Sequence, residues 1–192
     1  MSKVGDDSSE LTLPYGSTFE QGTLLVSDCS HNNIKIFGAD GSYVNTFGKY
    51  GLKSGEFNGV SDIQIFDNTL YVTQSKSHKV LAFSLDGKFK SSWGAYADVK
   101  KGSLEKPGYF NTPIGMDVNK EGLIVADHVN NRIQSFDFSG NIKWISGNLE
   151  TDDFDWMEPY YVKYDKTRKI ILVSNRTRDN IGILSQSGEK LG

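Results

Sequence analysis

Three histidines, one cysteine, a run of carboxylates and a scatter of turn-borne cations are the residues of this 192-residue chain with chemistry to offer. Imidazoles at His31, His78 and His128 would hold a metal if they converged, but they fall at three different offsets from the glycines that close their stretches of sequence, so no symmetric ligand set is expected. Cys29 has no second cysteine to pair with. The segment Glu150-Thr-Asp-Asp-Phe-Asp-Trp-Met-Glu158 brings carboxylates close enough for shared acid–base work, yet a charge run of this kind reads as a solvated loop. Neither a Gly-x-Ser-x-Gly elbow nor a phosphate-binding glycine loop occurs. The expectation is a chain with no catalytic residues, no metal and no cofactor.

The cations suggest recognition instead. Lys76, Lys79, Arg132, Arg176 and Arg178 stand in or beside polar turns and are the residues expected to meet a partner. Lys49, Lys53, Lys100, Lys101 and Lys106 add positive charge in the longer connections, while 150–158 is acidic. A mixed surface of this sort suits a protein or peptide, for which complementary charge sets encounter and specificity. The formal net charge of -3 and the pI of about 5.6 give no overall basic footprint for nucleic acid. Single-stranded RNA bound through Lys76–Lys79 and Lys100–Lys106 is the alternative.

Short strands must position these groups. Leu123-Ile-Val-Ala-Asp127, a polar turn, Ile133-Gln-Ser-Phe136 and a closing Gly140 make one strand hairpin, and weaker copies end at Gly41, Gly87 and Gly188. The four glycines lie 46, 53 and 48 residues apart, and Pro14, Val60, Pro113 and Pro159 lead the copies at 46, 53 and 46. Such a period marks a repeat architecture. The extra residues of the third interval fall between Gly94 and Phe110. Each unit reads as four strands, with bulk on both faces of the third, so the sheets must stack face to face. That is an all-β β-propeller. Asp28, Asp127 and Asn175, with Gln74 as the outlier, are expected to accept N–H groups of the turn that follows them. The aromatics Phe47, Trp93, Phe57, Phe110 and Trp156 are expected to pack between blades.

The stretch from Gly108 to Asp137, with Pro113, Asp127, Asn130, Arg132, Ile133 and Phe136, resembles the NHL repeat. Unit two departs from the pattern with Gln74 and Lys79, unit one with Asn33, and unit four with Asn175 and Asn180. The resemblance spans Leu11 to Gly192 and implies a scaffold commonly closed with six blades. It extends to the C-terminal propellers of tripartite-motif (TRIM-NHL) ubiquitin ligases, which recruit protein substrates or bind single-stranded RNA. It therefore implies a non-enzymatic interaction scaffold, with any ligase activity in another segment.

The expected organisation is a disordered leader at 1–10 and a propeller segment at 11–192. Its blades fall at about 11–48, 57–94, 110–147 and 156–192, the last cut inside its outer strand. Four blades would form an open or partial propeller, with self-association through exposed blade edges; a small four-bladed ring is the alternative. No apolar run approaches the roughly 18–20 residues of a membrane helix, no charged-then-apolar leader opens the chain, and cytoplasmic localisation is expected.

Overall fold

The computed structural model describes residues 9–99, 105–147, 157–177 and 179–191. Fifteen strands form among them, in four antiparallel sheets of consecutive strands. The first sheet contains β1 (Pro14–Glu20), β2 (Thr23–Asp28), β3 (Asn33–Gly38) and β4 (Tyr43–Phe47). The second has β5 (Val60–Phe66), β6 (Thr69–Gln74), β7 (Lys79–Ser84) and β8 (Phe89–Trp93). The third has β9 (Pro113–Asn119), β10 (Gly122–Asp127), β11 (Arg132–Phe136) and β12 (Ile142–Ser146). The fourth consists of β13 (Pro159–Asp165), β14 (Ile170–Asn175) and β15 (Asn180–Ser185), after which Lys190 bridges back to Leu184. Each first strand begins at Pro14, Val60, Pro113 or Pro159, the positions that set the period of the sequence. No helix forms among the described residues.

The turns follow their residue types. Gln21-Gly22 (φ 49° and 78°) and Asp67-Asn68 (φ 46° and 54°) take two consecutive left-handed residues, the geometry that matches the twist of a two-residue hairpin. The residue two before the first apolar position of each third strand is also left-handed: Asn32, His78, Asn131 and Asp179, all of types that tolerate this region.

The chain divides into two compact units between Ser92 and Trp93. In the first, Leu25 and Ile34 of one sheet meet Val60, Ile63, Leu70 and Val72 of the next, together with Phe57 from the connection between the sheets. The core of the second is built likewise, from Ile124, Ala126 and Ile133 against Val162, Ile171, Val173 and Leu184. Both cores lie between sheets, which is why the strands carry apolar bulk on both faces. First strands run side by side, β1 on β5 and β9 on β13. The approach is close: a Cβ on Gly16 would sit 2.7 Å from the Asp62 Cα, and one on Gly115 would sit 2.6 Å from the Tyr161 Cα. The expected aromatic packing is present. Phe57 and Phe110 are fully buried, with ring centroids 5.3 Å from Phe83 and 5.5 Å from Phe136. Phe47 and Trp93 complete the two groups, while Trp156 lies outside the described residues.

Candidate functional site: the loop anchor of each blade

In all four sheets the pairing of the first two strands is interrupted by a bulge just after the leading Pro or Val. A bulge leaves backbone groups without ladder partners. Side chains at the end of the second strand bind the backbone just before the bulge and, one residue earlier, within it. The carboxylate of Asp28 accepts the Thr12 N–H at 3.0 Å, Gln74 Oε1 that of Asn58 at 2.6 Å, Asp127 Oδ1 that of Asn111 at 2.7 Å, and Asn175 Oδ1 that of Met157 at 3.4 Å. The donor lies two residues before the leading Pro or Val each time. These side chains do bind backbone N–H groups, as their types suggest, but the shared donor precedes the first strand. Among the described residues, Asp28 also bonds N–H groups of its following turn, at Ser30 and His31.

One residue earlier, hydroxyls do similar work. Ser27 Oγ accepts the Gly16 N–H at 2.8 Å and faces the carbonyls of Gly16 and Ser61. Thr73 accepts the Asp62 N–H at 2.9 Å and Ser174 the Tyr161 N–H at 3.0 Å. The third sheet has Ala126 there.

The third blade carries the fullest set. Arg132 Nε donates to Asp127 Oδ2 at 2.7 Å, and both side chains have no solvent exposure. The guanidinium continues to the carbonyls of Glu105 (2.5 Å) and Tyr109 (2.8 Å). Gln134 donates to the Tyr109 carbonyl and accepts from the Gly108 N–H. Asn130 donates to the Ala97 carbonyl and to Asp127, and accepts the Val99 N–H. The four side chains thus hold both ends of the connection that carries the extra residues. Burial pushes the Asp127 carboxyl up to about 6, against the pull of the Arg132 guanidinium, the Asn111 N–H and the Asn130 amide, all of which favour the charged form.

This geometry corrects the reading of Arg132 as a partner-binding residue. A fully buried guanidinium, spent on Asp127 and three carbonyls of its own chain, cannot reach a partner. The other expected residues fare differently. Lys76 and Arg176 are exposed in the turns after β6 and β14, and Lys79 is half-buried at the start of β7. The Arg176 guanidinium lies 5.9 Å over the Tyr160 ring. Arg178, Lys100, Lys101 and most of the acidic run, 150–156, lie outside the described residues.

The second blade has the same connecting frame in a shorter form. Phe57 N–H donates to the Lys49 carbonyl, Gly51 N–H to that of Phe57 and Glu56 N–H to that of Lys53, as Phe110, Ala97 and Tyr109 do with Ala95, Phe110 and Lys106. Here the anchor residues are Gln74, Ser77, Lys79 and Leu81 in place of Asp127, Asn130, Arg132 and Gln134. All four line a cleft under the Gly51–Glu56 loop, beside Ser54 and Ser92. Leu52 on its rim is 75% exposed and nearby Tyr50 64%.

Of the residues with potential reactivity, His31 Nδ1 lies 2.8 Å from Asp28 Oδ2, and His128 Nδ1 faces the Pro159 carbonyl. Burial raises the Cys29 thiol, with Lys76 pulling the other way, so it is not an activated nucleophile. No three His, Cys, Asp or Glu side chains come together to hold a metal ion among the described residues.

A family model described as DUF5128, a 6-bladed beta-propeller, matches residues 6–100. The fold is a β-propeller. Among solved structures, a streptogramin B lyase is 16% identical, with 98% of this chain and 55% of that chain covered and a TM-score of 0.70. A catalytically inactive virginiamycin B lyase from Staphylococcus aureus, with quinupristin, is 16% identical, with coverages of 93% and 54% and a TM-score of 0.67. The hydrazine synthase of Kuenenia stuttgartiensis is 13% identical, with coverages of 100% and 51% and a TM-score of 0.69. The chain spans about half the length of these structures, and at such identities the likeness shows the fold alone. No curated protein matches the sequence. No described helix is long and apolar enough to cross a membrane.

Proposed function

We propose that this chain is a non-enzymatic interaction scaffold that binds a protein or peptide at the turns and connections where the blade anchors lie. The observation that carries this reading is the second blade. There the cations Lys53 and Lys79 and the exposed apolar residue Leu52 line a formed cleft whose framework is fixed by backbone hydrogen bonds, with Lys76 exposed in the turn that precedes Lys79. An apolar anchor beside charge suits a peptide better than a phosphate backbone. The NHL-like residues of the third blade support the finer placement beside the substrate-recognising propellers of tripartite-motif ligases.

Affinity capture from cell extract, with the wild type and a Lys76→Glu/Lys79→Glu variant compared by mass spectrometry, tests the reading. The expected result is one or a few proteins recovered by the wild type and lost by the variant. Equal recovery by both would remove these residues from the interface. Saturable binding of an oligouridine that weakens steeply with salt would replace the protein reading with the RNA one.

A further inference from the structure

The two complete anchors described above differ in what fills them. In the third blade the Arg132 guanidinium reaches up to the connection and satisfies its carbonyls, with the Asp127 carboxylate neutralising it below. In the second blade the corresponding carboxylate is the neutral amide of Gln74, which is taken up by the Asn58 N–H and the Glu56 carbonyl. The guanidinium has become the shorter ammonium of Lys79, and the Gln134 amide has become Leu81. A positive charge therefore remains where its internal counter-charge has been removed. Glu56 also lines the cleft, but its carboxylate already accepts the Lys53 N–H at 3.0 Å and lies 3.5 Å from Lys49 Nζ, and these contacts hold it below the usual carboxylate range. Lys53 brings a second cation to the wall, and Ser54, Ser77 and Ser92 bring hydroxyls.

We infer that this cleft is a recognition pocket for an oxyanion carried on a peptide, with Lys79 as the counter-charge and the serine hydroxyls as additional donors. The inference rests on the peptide-binding reading above and specifies its chemistry. The oxyanion takes the place that Asp127 holds in the third blade, supplied from outside the chain. Charge-assisted hydrogen bonds from an ammonium and hydroxyls suit a carboxylate or a phosphate monoester equally. Leu52 on the rim would cover an apolar residue next to it. The loop over the cleft is already framed, since the Lys49–Phe57, Gly51–Phe57 and Lys53–Glu56 bonds are made.

The test is a titration of the ¹⁵N-labelled chain with three N-acetylated, C-amidated tripeptides: Ala-Asp-Leu, Ala-phosphoserine-Leu and Ala-Asn-Leu. The expected result is saturable shifts of the Gly51, Gly55 and Ser77 amides with one or both acidic peptides, at least tenfold weaker with the Asn peptide. Which acidic peptide binds tighter identifies the source of the oxyanion. Lys79→Met should abolish the shifts while leaving the remaining amide spectrum in place, and Lys79→Arg should retain them. Equal binding of the Asn peptide, or full binding by Lys79→Met, would overturn the proposal. Shifts confined to the surroundings of Lys76 or Arg176 would overturn the pocket while leaving the peptide-binding reading standing.

Discussion

Asp127 Oδ2 receives the Arg132 Nε–H at 2.7 Å with both side chains sealed from solvent, opposite each other across the β10–β11 hairpin. Breaking such a pair by removing one partner leaves an uncompensated buried charge. Arg132→Met should therefore cost about 3–5 kcal/mol, read as a lowered urea midpoint of the unit containing the third blade. The double replacement Arg132→Met/Asp127→Leu should recover part of that loss. Recovery stays incomplete because the carbonyls of Glu105 and Tyr109 and the Asn111 N–H still lose their partners. A single substitution within about 0.5 kcal/mol of wild type would show that the pair is not the anchor described.

The first apolar position of the third strand offers a paired test. Ile34 and Ile133 are fully buried against the following sheet, whereas Ile181, at the same repeat position, is 65% exposed. Ile34→Ala should cost about 2–5 kcal/mol, the range for a buried aliphatic truncation. Ile181→Ala should fall within about 0.5 kcal/mol of wild type. Denaturant unfolding distinguishes the two, and similar losses at both sites would contradict the stacking described.

The hydroxyls behind the bulge make a third. Ser27→Ala and Thr73→Val remove the acceptors of the Gly16 and Asp62 N–H groups with little change of shape. Each should cost about 1–3 kcal/mol, the penalty for leaving a buried donor unmet. Faster amide exchange at Gly16 or Asp62 in the matching variant is the local readout; unchanged exchange there would mean the hydroxyl is dispensable.

A pH dependence follows from His128. Burial lowers its imidazole pKa, while the Pro159 carbonyl and Glu158 pull it upward. The unfolded chain therefore binds more protons between about 6.5 and the lowered folded value, so stability falls as pH drops through that window. Asp127 acts with opposite sign. Its carboxyl, raised to about 6, makes the folded state the better proton binder between 3.8 and 6 and favours folding as pH falls. His128→Gln retains the Asp127 contribution and removes that of the imidazole. Thermal midpoints from pH 7.5 to 5 should accordingly fall further for the wild type than for this variant, and parallel curves would refute the assignment.

The strands and their stacking were readable because both rest on local pattern. Alternation with bulk on both faces, together with Pro14, Val60, Pro113 and Pro159 at a steady interval, is enough to place the first three strands of every blade. The anchor was less readable. Asp28, Gln74 and Asp127 bind a donor sixteen residues upstream, which arrives only when the first two strands pair across their bulge. Ser27, Thr73 and Ser174 escaped notice for the same reason. Arg132 read as a surface cation because arginine is seldom buried without a partner. The signal that would have placed it was Asp127 five residues earlier, since strand register sets the two ends of that hairpin face to face. The cleft under Gly51–Glu56 appears only when the same positions of two blades are compared in three dimensions.

The connection before the third blade has another consequence. The leading positions Val60 and Pro113 are 53 residues apart where Pro14 and Val60 are 46 apart, yet the backbone bonds that frame the connection are the same in both cases. Additional sequence thus enters between Ala97 and Lys106 without altering the strands on either side. Such a position is a natural graft point. Descendants of one repeat can diverge in what they contact by lengthening or shortening this segment, and a few changes at Gln74, Ser77, Lys79 and Leu81 decide whether the anchor is closed by the chain itself or left for a visitor.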